Sequence, residues 1–373
     1  MADQLSTSPD LQVIPEARPP AGPQPVDEQR MEELLHRLVN DMGAALAVPL
    51  ALIGDRHGLF ETLESTGAVT SDELAERTGL SERYLREWLL AMAASGYIDY
   101  AGDGRYRLSP EQAEAFCHPD SPAYLAGGLQ NLTASTRALD RITDAFRTGA
   151  GMGWHEHHPD VFHGTERFFR PTYLNFLTPM WIPALTGLEE RLQAGARVAD
   201  VGCGFGASTR ILAAAYPAST FVGLDYHRES IEAATGKAVA EGLGDRVSFR
   251  TGSALDLSGE YDLITYFDCL HDMPDPLGAL RAARAALHPD GWVLLVEPMG
   301  GDTVEDALNP VGRVYAAASV LLCLPSGLSA EPCAGLGNQA GPAQTLALAR
   351  EAGFTRAREA TRTPFNLIYE LRP

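Results

Sequence analysis

The 373-residue sequence predicts an α/β chain, with an open, mainly parallel sheet following a mainly helical N-terminal domain. Three observations carry that expectation. The run Val198-Ala199-Asp200-Val201-Gly202-Cys203-Gly204-Phe205-Gly206 reads as a short buried strand and a glycine turn, with a helix starting at Ala207-Ser208-Thr209. From there to the C-terminus strand-like and helix-like stretches alternate, as βαβ units require. Residues 70–108 instead hold two short helices and a hairpin.

The elements can be justified in order. Residues 1–28 contain six prolines and few large apolar groups and are expected to form a disordered tail. Met31, Leu34, Leu35, Leu38, Val39 and Met42 recur at helical spacing, and the apolar stretch Ala44–Ile53 suggests burial against another chain or domain. Thr70 and Glu73 form a capping box that opens a short helix to Arg77. Thr78-Gly79-Leu80 turns the chain, and Ser81 caps a second helix through Ala94. Tyr97–Tyr100 and Arg105–Leu108 flank Ala101-Gly102-Asp103-Gly104 as a hairpin. Helix-turn-helix followed by a two-stranded wing is a winged helix, placed at residues 29–118. A DNA-reading second helix would present basic or amide side chains to base edges, whereas Glu82, Arg83, Arg86 and Glu87 cancel. Residues 31–110 hold 7 Arg against 13 Asp and Glu, a net of −6, so phosphate contacts are few and a dimerisation role fits better.

Residues 119–190 read as a helical, aromatic-rich linker and pocket cover that includes Trp154, Phe162, Phe168, Phe169, Tyr173, Phe176 and Trp181. The sheet domain spans 191–373. Its second strand, Thr220–Leu224, delivers Asp225, and its third, Val247–Phe249, leads to Gly252-Ser253-Ala254. A fourth strand covers Tyr261–Phe267, a helix Leu277–Leu287, and a fifth strand Trp292–Val296 ends at Glu297. A long insertion at 300–340, a helix near Gln344–Ala352 and a hairpin of Thr355–Thr361 with Phe365–Leu371 complete seven strands.

In such sheets ligands bind beyond the carboxyl ends of the strands. Glycines there let the backbone approach a nucleoside closely, and Asp225 can accept both ribose hydroxyls. The dinucleotide fingerprint needs a further glycine where Ala207 stands, and no Gly-Lys-Ser/Thr follows, which excludes a P-loop. A dinucleotide enzyme remains the structural rival. The balance of 29 Lys and Arg against 49 Asp and Glu gives −20, with Lys237 the only lysine. That surface repels phosphate backbones and anionic membranes, so nucleic acid is a poor partner. No unbroken apolar run reaches the roughly 18 residues of a membrane span, and the N-terminus lacks a signal-peptide pattern. Cys117, Cys203, Cys269, Cys323 and Cys333 show no paired spacing, which points to reduced thiols in a cytoplasm.

The D-V-G-C-G-F-G loop and Asp225 resemble motif I and the ribose-binding acid of the class I S-adenosylmethionine-dependent methyltransferases. With the winged helix, the chain is similar to small-molecule O-methyltransferases of secondary metabolism from about residue 30 onward. The resemblance implies a Rossmann-like seven-stranded methyltransferase sheet, S-adenosylmethionine as cofactor with S-adenosylhomocysteine as product, a small and partly apolar acceptor, and a homodimer formed through the N-terminal domain. It also implies cofactor contacts from Asp200, Gly202, Cys203, Gly204, Gly206, Asp225, Tyr226, Ser253, Ala254 and Phe267, with Tyr173 capping the methionine end. Where the family often has an Asp for the adenine amino group, this chain has Gly252-Ser253-Ala254.

The stretch from Phe267 through His271 to Asp275 resembles the family's L-H-D-W-x-D segment, with Met273 in place of the Trp. In that family the histidine removes the acceptor's proton, which makes His271 the expected general base. Such help is worth roughly 10²–10⁴ in rate, and an imidazole with a pKa near 6.5 is suited to it. Glu297, on the neighbouring strand, is expected to orient the ring. Asp272 is expected to point elsewhere, toward a helix cap. The group His155-Glu156-His157-His158 with His163 has no H-E-x-x-H helix and no matching cysteine set, so no metal is expected and the pocket entrance is its place. The open rivals are an N- or C-acceptor, a cofactor-binding protein that does not methylate, and a winged-helix regulator.

Overall fold

The structure, a computed structural model, describes residues 25–373, so the expected tail lies outside it up to residue 24. The chain divides into two compact units between Ala45 and Leu46, and helix α1 (Glu28–Arg56) crosses the division. In the first unit Met31, Leu34, Leu35, Leu38, Val39 and Met42 are 41–67% exposed. By length and composition α1 is the one helix among the described residues able to cross a membrane, with mean hydropathy 1.4 over its most apolar window and 22% of that window buried.

The second unit begins with the winged helix: α2 (Leu59–Thr66), α3 (Ser71–Thr78), α4 (Glu82–Ala94), β1 (Asp99–Gly102), β2 (Arg105–Arg107) and α5 (Pro110–Phe116). The capping box forms as read. Thr70 Oγ1 accepts from the Glu73 amide at 3.2 Å, and the Glu73 carboxylate accepts from the Thr70 amide at 3.0 Å, an arrangement worth about 1 kcal/mol. Arg105 of the wing grips the same carboxylate. Beneath, Phe60, Leu63, Leu74, Leu89 and Met92 are fully buried, each contributing roughly 1.5–3 kcal/mol. The end of α1 within this unit packs closely: the Trp88 indole N–H donates to the Leu50 carbonyl at 2.9 Å, and a Cβ on Gly54 would lie 2.4 Å from that ring.

Helices α6 (Ala126–Ser135), α7 (Leu139–Thr148) and α8 (Pro159–Thr172) follow. The continuation Tyr173–Trp181 is π-wound and contains Pro179, which has no N–H to place in a regular α ladder. After α9 (Leu188–Ala194), β3 (Arg197–Val201), α10 (Ala207–Ala215), β4 (Thr220–Asp225), α11 (Arg228–Ala240), β5 (Val247–Thr251), β6 (Tyr261–Phe267), α12 (Pro276–Ala286) and β7 (Leu287–Pro298) build the parallel part of the sheet. The insertion carries α13 (Val304–Ala307), α14 (Pro310–Ala318), a π turn at Ser319–Cys323 and α15 (Leu324–Gly327). Then come α16 (Pro342–Glu351), β8 (Arg356–Arg362) and β9 (Asn366–Arg372).

Seven strands order as β5-β4-β3-β6-β7-β9-β8, with β9 antiparallel to both neighbours. Alternate residues feed two cores, one on each face: Val198, Leu263 and Leu294 on one, Ala199, Ile264 and Leu295 on the other. Burial on both faces explains why these strands read as continuous apolar runs. Register then fixes the chemistry. Asp200 lies beside Thr265 and Phe267 beside Val296, so Glu297 emerges at the same edge as the turn after β6.

Candidate active site

At the carboxyl edge of β3 the loop Gly202–Gly206 turns into α10. Gly204, at φ 51°, has nothing within 4 Å of where a Cβ would be, so a ligand can come against its backbone. Gly206, at φ 73°, serves the opposite purpose: a Cβ there would meet the Phe249 ring at 2.5 Å. Asp200 lies beneath the loop, fully buried. Its carboxylate accepts from Ser208 at 2.7 Å, Thr209 at 2.5 Å and Thr265 at 3.0 Å. Burial raises its pKa, and those three hydroxyls oppose the rise. Neither Asp200 nor Gly206 lines the cavity.

The other expected cofactor residues do line it. Asp225 closes β4, and each of its oxygens accepts one backbone N–H, from Gly204 at 2.9 Å and His227 at 2.8 Å. A carboxylate has about four acceptor positions, so two remain for ribose hydroxyls. Burial pushes its pKa up, against those two amides. Tyr226 is half exposed, and its hydroxyl accepts from the His155 amide at 3.2 Å. Ser253 Oγ accepts from the Leu255 amide at 3.1 Å, which shapes the turn that carries Ala254. Cys203 is buried beside the loop. Phe267 and Tyr173 pack at 5.3 Å between ring centres, and burial first, then Asp268 and Asp200, push the Tyr173 phenol well above its usual range.

These groups surround one cavity of about 660 Å³, within the ordinary range for small-molecule sites. The nucleoside part of S-adenosylmethionine suits its β3–β4 edge: an open glycine backbone and a carboxylate with free acceptor positions. Among the described residues the lining holds Glu156, Glu166, Asp225, Asp268, Asp272, Asp275 and Glu331 but no Lys or Arg, which suits a cofactor that carries a sulfonium. Glu156 is matched by Arg141, and Glu166 by Arg210 and Lys237.

At the β6–β7 edge His271 is 3% exposed, with Nδ1 hydrogen-bonded to Glu297 Oε2 as expected. Asp272 departs from expectation. Its Oδ1 lies 3.2 Å from His271 Nε2, while the cap of α12 is Asp275, which accepts from the Gly278 amide at 2.7 Å. Sequence adjacency misled here because the short 3₁₀ turn Leu270–Asp272 folds the carboxylate back onto the ring. Burial alone would lower the imidazole pKa, yet Glu297 and then Asp272 outweigh it and hold it well above its usual value.

Sequence reasoning missed several lining residues. Asp268 has φ 50°, rare for a non-glycine. One of its oxygens accepts from Asn366 at 2.7 Å, while the other is buried without a partner. Burial, then Glu297, raises its pKa far above the carboxylate range. Its place between Phe267 and His271 was a usable signal. Cys323 and Asn338 come from the insertion, where no motif marks them. Of the histidine group only His155 reaches the cavity. His158 caps α8 by accepting from the Asp160 amide at 3.2 Å, His163 leans on Phe205, and burial pushes His157 down to about 4.

A mixed sheet with its one reversed strand next to the edge, carrying a glycine loop and a ribose-ready carboxylate, defines a Rossmann-like methyltransferase. Known proteins agree. Residues 44–118 match the family described as Rv2258c-like winged HTH domain, and residues 199–293 match the methyltransferase domain family. A ubiquinone biosynthesis O-methyltransferase of Bordetella avium is 31% identical over 216 residues, covering 55% of this chain and 81% of that protein. The mitomycin 7-O-methyltransferase MmcR superposes with a TM-score of 0.68 at 21% identity, covering 92% of this chain and 100% of that one. Human N-acetylserotonin methyltransferase, solved with S-adenosylmethionine, gives 0.67 at 18% identity, covering 91% and 97%. The chain belongs to the S-adenosylmethionine-dependent methyltransferases.

Proposed function

We propose that the protein methylates a hydroxyl of a small, partly apolar, uncharged molecule, with His271 as general base. One observation carries this reading: Glu297 holds Nδ1 of a buried imidazole whose residue lines the cavity, so Nε2 is the nitrogen left to exchange a proton. S-adenosylmethionine, when bound, supplies a methyl group already activated on a sulfonium. The chain's tasks are then to align the acceptor and take its proton. The proton passes from the hydroxyl to Nε2, and the Glu297 carboxylate stabilises the imidazolium that forms. For this the acceptor has to take the place Asp272 holds beside Nε2. A lining without Lys or Arg supports an acceptor with no anionic group, and Phe168, Phe169, Trp154 and Leu322 support an apolar body. The names of the relatives, several of them O-methyltransferases, support the same acceptor chemistry.

The exposed apolar stripe of α1 supports a homodimer in which a second copy covers it, and a cytoplasmic enzyme fits the unpaired cysteines. On α4, the helix a DNA reader would use, Arg83 pairs with Glu87 and Arg86 with Glu82, so neither arginine is free for phosphate. The test is S-adenosylhomocysteine release with pooled phenolic and other hydroxylated metabolites, wild type beside His271→Ala. Pool-dependent release that falls at least about a hundredfold in the variant supports the reading. Undiminished release moves the acceptor to nitrogen or carbon.

A further inference from the structure

The side chains around His271 make a second arrangement that methyl transfer does not use. His271 Nε2 or Nδ1, a carboxylate oxygen of Asp272 and Cys323 Sγ lie within 4.8 Å of one another, and the Nε2 to Oδ1 separation is 3.2 Å. In a tetrahedral site with bonds of about 2.0–2.3 Å, donor atoms stand roughly 3.3–3.7 Å apart. The three are thus within about 1 Å of a coordinating geometry. Imidazole, carboxylate and thiol together suit a borderline or thiophilic cation such as Zn²⁺, whereas Mg²⁺ and Ca²⁺ want oxygen alone.

Each donor is also braced. Glu297 accepts at the other imidazole nitrogen, the outer-shell carboxylate that metal-bound histidines usually have. Asn338 Nδ2 donates to Cys323 Sγ at 3.4 Å, a bond a thiolate would strengthen, while burial and then Asp272 push the metal-free thiol up to about 12. Asp272 Oδ1 is buried beside His271 Nε2, at 3.2 Å. Ser326 Oγ, three residues after Cys323, donates to the Asp272 carbonyl at 2.9 Å and ties the two segments together. His271 and Cys323 are 3% and 6% exposed. All three residues line the cavity.

We propose that His271, Asp272 and Cys323 bind one divalent cation of the Zn²⁺ class, and that loading silences His271 as a base. The thiol proton and the imidazolium's Nε2 proton leave to water as sulfur and nitrogen bind, and the Nε2 lone pair that would accept the acceptor's proton goes to the metal. Only the silencing rests on the methyl-transfer reading; the site itself rests on the donors.

The probe is Co²⁺, titrated into the full-length, chelator-treated protein and followed by absorption, with Zn²⁺ added afterwards. The expected result is saturation at one equivalent, a thiolate-to-cobalt charge-transfer band, and displacement by Zn²⁺. Cys323→Ser should lose the band and Asp272→Asn should weaken Co²⁺ binding at least tenfold. Retained cofactor binding would show that each variant is folded. The four other cysteines are an internal control: a band that survives Cys323→Ser, or none in the wild type, overturns the site. Zn²⁺-loaded enzyme should release S-adenosylhomocysteine at least tenfold more slowly, with chelator restoring the rate, and equal or faster release overturns the silencing. If His271→Ala proves fully active, the base reading fails while the cobalt spectrum still decides the site.

Discussion

The two edges of the cavity are built differently. The β3–β4 edge uses one short stretch, Gly202–Gly206, and one carboxylate, and its polar groups are engaged: Asp200 takes three hydroxyls and Asp225 two amides. The β6–β7 edge gathers Asp268, His271, Asp272, Glu297, Cys323 and Asn338 from three separate segments. There Asp268 Oδ2 and Glu297 Oε1 are buried without partners. Unpaired buried polar atoms are costly, so they mark where a ligand or a proton completes the structure. The first edge is preorganised backbone, and the second is a buried cluster of titratable groups centred on His271.

The sharpest way to break this comparison is Asp225→Ala. It removes the ribose acceptors and the anchor of the Gly204 amide, and the cofactor dissociation constant should rise about a hundredfold, at roughly 1.5–3 kcal/mol per charged hydrogen bond. Calorimetry checks it, and a change under threefold would mean the carboxylate is structural only. Glu297→Gln should act on the other edge alone, lowering kcat/KM about tenfold or more with cofactor affinity within twofold. It should also move the pH profile of metal-free enzyme. On the proposed reading the base works as neutral imidazole, and since Glu297 and Asp272 hold its pKa above 6.5, wild-type activity should rise with pH through a midpoint above 6.5. Removing the Glu297 charge leaves burial less opposed and shifts that limb to lower pH. An unmoved limb would show that another group titrates. Least of all, Ser253→Ala should change cofactor affinity by less than about fivefold, since Ser253 Oγ already serves the Leu255 amide; a larger loss would make it an adenine contact.

How much could be read from the sequence follows the same division. The glycine loop, Asp225 and the capping box at Thr70 are local patterns whose physics is complete within a few residues, and all were legible. Glu297 beside His271 was legible because adjacent parallel strands end at one edge. Asp272 was misread because a single 3₁₀ turn decides its direction, and no periodicity encodes that. Cys323 and Asn338 were invisible, since they meet His271 only through the packing of the insertion onto the turn after β6.

Lys237 is the chain's only lysine. Its ammonium pairs with Glu166 and lies 4.8 Å from the centre of the Phe205 ring, within the glycine loop, while the side chain stays 37% exposed. The sequence therefore carries a single ε-amine, placed beside the glycine loop. A dye coupled there would report cofactor arrival without any engineered cysteine.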